Sequence, residues 1–153
     1  MMPPSPAEIK ALLRSRGLSP SAPRVAIYAW LCTHEVHPTV DDIFRALRPE
    51  IPTLSRTTVY NVLHAFVEKR LANAVRTEDL ELRYDGKVTR HAHFKCTACG
   101  ALCDIGEIPA TLAKRLSVPE GFAAEDVSVT LWGLCKACAE QARTKRATPA
   151  ERA

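Results

Sequence analysis

Ser55-Arg56-Thr57-Thr58-Val59-Tyr60-Asn61-Val62-Leu63-His64-Ala65-Phe66-Val67 is the stretch whose periodicity decides the fold. Val59, Val62, Leu63, Phe66 and Val67 recur at three- and four-residue spacing, which makes one apolar helical face. Ser55 is placed to cap this helix, predicted over about residues 56–69. Arg56, Thr57, Tyr60, Asn61 and His64 fall largely on its other faces.

Working outward, Thr39 is placed to cap a helix carrying Val40, Ile43, Phe44 and Leu47 on one face, ended by Pro49 and Pro52. A helix over about residues 22–34 is predicted from Val25, Tyr28, Ala29 and Cys32, and His37-Pro38 breaks it. Ser5-Pro6-Ala7-Glu8 has the form of a capping box with proline at the first helical position, followed by Ile9, Leu12, Leu13 and the stop Gly17. Downstream, Ala74–Arg76 and Glu81–Tyr84 read as short strands joined across Thr77-Glu78-Asp79. Helices followed by a hairpin make a winged helix-turn-helix.

From Gly86 the pattern changes. Strand-like segments around His93–Cys96, Leu102–Ile105 and Val127–Leu134, with a helix near Ile108–Leu116, predict a small α+β unit. The expected organisation is an N-terminal winged-helix domain over residues 1–84, a small α/β metal-binding domain over 85–140 and a flexible basic tail over 141–153. The fold class of the whole is α+β.

A hydrophobic content of 46% with 25% charged residues excludes wholesale disorder and fibrous architecture. Net charge is +4, with 11 basic against 9 acidic residues through Arg83 and 10 against 8 beyond it, which permits a nucleic-acid partner without arguing for one. Met1-Met2-Pro3-Pro4-Ser5-Pro6 has neither a basic start nor an apolar run, and no stretch approaches the roughly 18 apolar residues of a membrane span. The expectation is a cytoplasmic chain with no membrane partner. Two domains of this size bury marginal cores, which favours a staple.

Cys96-Thr97-Ala98-Cys99 and Cys135-Lys136-Ala137-Cys138 supply that staple as two chelating pairs, with four thiolates for a tetrahedral structural zinc. The 35 residues between the pairs require the intervening elements to bring them together. The competing readings are a thioredoxin-like redox pair or chance spacing. Cys32 and Cys103 read as core thiols.

His91 and His93 precede the first cysteine pair, and strand alternation puts both imidazoles on one face. Asp85, Asp104 and His37 add further donors, and together the five suggest a nitrogen–oxygen site free of thiolate. Such a set suits iron(II) or manganese(II), leaving zinc to the cysteines. Taken singly, His37 reads as a loop residue, Asp85 as a turn residue and Asp104 as a strand-end carboxylate. For the helix at 56–69, a DNA-reading role would send its N-terminal turn into the major groove. Ser55, Arg56, Thr57, Thr58, Tyr60 and Asn61 are then the candidate contacts, against the alternative of a plain solvated face.

With Leu54–Leu63 followed at its spacing by His91-Ala92-His93-Phe94-Lys95-Cys96-Thr97-Ala98-Cys99-Gly100, and closing on Leu131-Trp132-Gly133-Leu134-Cys135-Lys136-Ala137-Cys138, the chain resembles the ferric uptake regulator family from about Ile9 to Cys138. The resemblance implies a homodimer paired through its second domains, which makes residues 85–140 the dimerisation domain. It implies structural zinc at Cys96, Cys99, Cys135 and Cys138. It implies a regulatory iron(II) or manganese(II) at His37, Asp85, His91, His93 and Asp104, and binding to pseudo-palindromic double-stranded operator DNA.

An aspartate at Asp104 is similar to the peroxide-responsive repressor branch, where peroxide oxidises a ligand imidazole, here His37 or His91. The implied function is a metal-dependent, peroxide-sensing repressor and not an enzyme. The alternative is an iron-, manganese- or zinc-responsive uptake regulator without peroxide chemistry. Val127 and Ala92 depart from the family pattern and put a further peripheral metal site in doubt. A zinc deaminase requires His-x-Glu and Pro-Cys-x-x-Cys, and this chain has neither the glutamate nor the proline. A zinc-stapled module whose winged helix meets protein is a third reading.

Overall fold

The computed structural model describes residues 3–34, 36–76, 81–109, 111–124 and 127–147. The chain divides into two compact units, one ending at Val88 and the other beginning at Thr89.

The first unit contains α1 (Pro6–Ser15), α2 (Ala22–Thr33), α3 (Val40–Leu47), α4 (Arg56–Glu68), β1 (Asn73–Arg76) and β2 (Leu82–Asp85). Side chains begin three of the helices. Ser5 and Glu8 form a reciprocal box at α1, Thr39 and Asp42 do the same at α3, and the Ser55 hydroxyl accepts the Thr58 amide at 3.0 Å. Each helix turns its apolar stripe to one core. Ile9 and Leu13 of α1 join Ile43, Phe44 and Leu47 of α3 and Val59, Leu63 and Phe66 of α4. Tyr28 meets Phe66 edge-on, with ring centroids 5.6 Å apart.

On α2 the buried residues are Ile27 and Leu31, with Val25, Tyr28 and Ala29 only partly buried. The expected face is therefore rotated. Residues 25–32 are apolar nearly all round, so spacing alone does not select a side. Cys32, expected in the core, is exposed, and so is Cys103 on the largely exposed strand β4 described below.

Strands β1 and β2 pair antiparallel from Asn73↔Asp85 to Arg76↔Leu82. The connection expected at Thr77-Glu78-Asp79 lies outside the described residues. Asp85 ends β2, and the first unit continues to Val88 instead of stopping at Tyr84. The reason is local: Asn73 Nδ2 donates to the Lys87 carbonyl at 2.9 Å, and the Lys87 amide donates to Asp85 Oδ1 at 2.7 Å. Both bonds stitch the exit of β2 to the wing.

The second unit is a three-stranded sheet in the order β4-β3-β5, from β3 (His91–Cys96), β4 (Leu102–Glu107) and β5 (Thr130–Gly133), with α5 (Leu112–Arg115) and α6 (Lys136–Ala147). β4 runs antiparallel to β3 and β5 runs parallel to it. The helix expected from Ile108 shrinks to α5. Pro109 keeps the residue before it extended, and the Ile108 amide donates to Arg90 O at 3.1 Å.

Helix α6 replaces the expected start of a tail at residue 141 and runs to Ala147; residues 148–153 lie outside the described set. Its alanines, lysines, arginines, glutamate and glutamine are strong helix formers even without an apolar stripe. Among the described residues no helix is long and apolar enough to cross a membrane.

Phe66 is fully buried and central to the first core. Phe66→Ala is expected to cost about 3–5 kcal/mol of unfolding free energy, measured by chemical denaturation with tryptophan fluorescence.

Candidate metal centres and nucleic-acid face

The thiolate centre is built by strand register. β3 ends in Cys96, and the chain turns back through Cys99 and Gly100, whose positive φ of 74° suits glycine. The parallel pairing Cys96↔Gly133 brings the second pair alongside, and the Thr97 amide donates to Gly133 O at 2.8 Å. The four Sγ atoms of Cys96, Cys99, Cys135 and Cys138 lie within 4.8 Å of one another, and Cys99 Sγ is 3.8 Å from Cys135 Sγ.

Four thiolates about 2.3 Å from a zinc in a tetrahedron stand roughly 3.8 Å apart, so the spacing fits zinc. The backbone supports it. The Cys135 amide donates to Cys96 Sγ at 3.3 Å, and this bond, with those from the Cys99 and Ala98 amides, brings the Cys96 thiol down to about 6. The neighbouring thiols of Cys135 and Cys99 push Cys138 up to about 12. A bound cation removes that conflict, because it favours thiolate at all four positions. Two pairs converging on one point are also not the single exposed pair of a redox motif.

A second cluster of the same unit contains no sulfur. His91 and His93 of β3 are both buried, with ring centroids 4.5 Å apart. Asp104 Oδ1 of β4 is 3.1 Å from His91 Nε2 and 3.9 Å from His93 Nε2. A bulge accounts for the convergence. His91 pairs with Glu107 and His93 with Asp104, so β4 spends one extra residue opposite Ala92, and Gly106 takes φ 122°.

His91 Nδ1 lies 2.7 Å from Thr89 O. A carbonyl only accepts, so Nδ1 carries a hydrogen, and Nε2 is the ring nitrogen turned toward Asp104. An imidazole nitrogen and a carboxylate oxygen brought this close are donor types that one divalent cation can share.

Within the first unit, His37 and Asp85 are both buried, with ligand atoms within 4.8 Å. β2 holds the His37 loop through two bonds that the sequence does not signal. Arg83 Nη1 donates to His37 O at 3.0 Å, and the Tyr84 amide donates to Pro38 O at 2.9 Å. Gly86 follows, where a Cβ would stand 3.0 Å from the Leu31 carbonyl oxygen. Asn73, Arg83 and Gly86 are the positioning residues missed by sequence reasoning, because they act through backbone atoms.

On α4, Thr57, Tyr60 and Asn61 are exposed. The other candidate contacts already have partners: Ser55 and Thr58 share the helix cap, their hydroxyls 2.8 Å apart, and Arg56 is paired with Asp41.

A profile of the ferric uptake regulator family matches residues 15–132. The chain is 34% identical over 131 residues to the transcriptional regulator FurA of Mycobacterium tuberculosis (strain H37Rv), covering 82% of this chain and 86% of FurA. It is 30% identical over 132 residues to the peroxide-responsive repressor PerR of Staphylococcus aureus (strain NCTC 8325), covering 86% and 89%. The solved ferric uptake regulator of Pseudomonas aeruginosa with manganese superposes with a TM-score of 0.64 at 25% identity, over 84% of this chain and 98% of that one.

If zinc fills the thiolate centre, the purified protein should contain about one zinc per chain, and Cys135→Ser is expected to lose it and to lower the melting temperature of the second unit. Elemental analysis paired with calorimetry reads both. A variant that keeps full zinc and stability excludes the thiolate staple.

Proposed function

Because the chain belongs to the ferric uptake regulator family, whose members are metal-binding transcription regulators and not enzymes, we propose that it is a peroxide-sensing, metal-dependent repressor acting as a homodimer on operator DNA in the cytoplasm. The observation that carries this reading is the division of donors. One set is all thiolate and the other is imidazole and carboxylate, so a structural ion and a regulatory ion have separate homes.

Zinc belongs to Cys96, Cys99, Cys135 and Cys138. The proposed regulatory iron(II) or manganese(II) takes His37 and Asp85 from the first unit and His91, His93 and Asp104 from the second. A cation held by donors from both units supplies the positive charge that makes one arrangement of them preferable to all others. To swing a two-state equilibrium from mostly open to mostly closed, that preference must reach about 5 kcal/mol, which five ligands supply more readily than two. The closed dimer then presents Thr57, Tyr60 and Asn61 of both α4 helices, with Arg56, to a pseudo-palindromic duplex.

The sheet supports the homodimer. β5 lies at its edge and, among the described residues, bonds only to β3, while Leu131 and Trp132 on it are more than half exposed.

Likeness to PerR and the aspartate at position 104 favour oxidation of His37 or His91 by peroxide as the release step. Likeness to the ferric uptake regulator with manganese favours the second reading, a metal-uptake regulator without that chemistry. Mass spectrometry of the iron-loaded protein after peroxide separates them. The first reading expects one oxygen gained on a peptide containing His37 or His91, with DNA released. Unmodified peptides with DNA still bound establish the second.

His37→Ala is expected to leave zinc content and dimer mass intact while abolishing metal-dependent operator binding, read by fluorescence anisotropy with manganese. Full affinity in that variant overturns the five-donor scheme.

A further inference from the structure

We propose that Asp41 is a specificity-setting residue, which withholds the Arg56 guanidinium from mixed-sequence DNA and yields it only to a duplex seated closely against α4. The inference rests on the DNA-binding reading given above.

Arg56 opens α4 at the end where the helix dipole is positive, a poor place for a cation, and no acidic residue stands in that first turn. The compensating carboxylate comes from the neighbouring helix. Asp41, in the first turn of α3, accepts Arg56 Nε on Oδ1 and Arg45 Nη2, at 3.0 Å, on Oδ2. The Arg56 guanidinium also lies over the Phe44 ring, 4.6 Å from its centroid, and Arg48 approaches the same ring at 5.3 Å. The Arg56 hydrogen bond holds the Asp41 carboxyl below its ordinary value, and Asp41 raises Arg56 in turn. The Arg56 and Asp41 side chains remain 59% and 40% exposed, so an incoming anion can reach the pair.

A phosphodiester oxygen and a carboxylate oxygen ask the same thing of a guanidinium, which is a short charge-assisted hydrogen bond. Asp41 is therefore a competitor for any phosphate that Arg56 meets. Diffuse association with a duplex of arbitrary sequence presents phosphates at no fixed place. It does not displace a carboxylate already bonded to a guanidinium seated on an aromatic face. A duplex that fits α4 in its groove holds a phosphate oxygen or a guanine edge beside Arg56 and completes the exchange. Discrimination then comes from an attraction denied to the wrong partner.

The test uses the full-length metal-loaded protein, with Asp41→Asn, Asp41→Glu, Arg56→Gln and the Asp41→Asn/Arg56→Gln double variant. The probes are a duplex selected from a random library by the wild-type protein and a mixed-sequence duplex, each titrated across a salt series. Asp41→Asn is expected to tighten mixed-sequence binding roughly two- to fivefold, the range set by an exposed ion pair. Its log–log salt slope should steepen by about one phosphate contact.

The selected duplex should gain less, Asp41→Glu should behave as wild type, and Asp41→Asn should add nothing once Arg56 is glutamine. The latch is overturned if Asp41→Asn leaves mixed-sequence binding unchanged. It is equally overturned if the gain persists without Arg56, because Asp41 then acts only as a repelling charge. A wild-type protein that selects no duplex overturns the DNA-binding reading and the latch together, whereas normal selection that ignores Asp41→Asn overturns the latch alone. Melting curves accompany every variant, and Asp41→Ser replaces Asp41→Asn if the latter melts early.

Discussion

The amide of Cys135 donating to the sulfur of Cys96 joins the two halves of a unit that has little else to hold it. All the residues of the buried apolar cluster lie at or before Tyr84, and beyond Thr89 the buried hydrophobic residues among those described are Cys96 and Ile108. Burial of apolar area cannot stabilise a sheet of three short strands on these terms. The second unit depends instead on β3 and β5 running in register, so that two cysteine pairs far apart in sequence close on one point. Were zinc bound there as proposed, its affinity would become folding free energy.

The same strand that ends in the thiolate centre begins with the imidazoles. β3 carries His91 and His93 at one end and Cys96 at the other, so an ion fixing its far end also limits how His91 and His93 move against Asp104. Softness separates the two sets of donors, so under the proposed scheme one strand would serve two different cations. In the first unit the wing strand β2 has a comparable double duty. It covers the core with Tyr84, holds the His37 loop through Arg83 and the Tyr84 amide, and ends in Asp85.

Much of this is legible in the residues. The caps and stripes of α1, α3 and α4 declare themselves because each helix buries one side and solvates the other. The cysteine pairs declare themselves by spacing. The face of α2 does not, since its residues are apolar nearly all round, and the exposure of Cys32 and Cys103 is likewise not readable from their neighbours in sequence. Alternation does put His91 and His93 together, but their approach to Asp104 needs the extra residue at the Gly106 bulge, which no period reveals. Asn73, Arg83 and Asp41 stay silent in sequence because their partners are backbone carbonyls or a side chain on another helix.

Helix α6 begins at the residue after Cys135, and its first turn contains Cys138. A twelve-residue helix with no apolar stripe is marginal on its own, because fixing the first turn costs more than one hydrogen bond returns. Here the cysteine knuckle sets that turn in advance, with the Ala139 amide already bonded to Cys135 O at 2.8 Å. Under the zinc reading proposed above, the coil-to-helix balance of α6 would report the ligation state of the thiolates, and loss of the ion would expose an unwound, lysine- and arginine-bearing segment of the kind that trypsin-like proteases cut first.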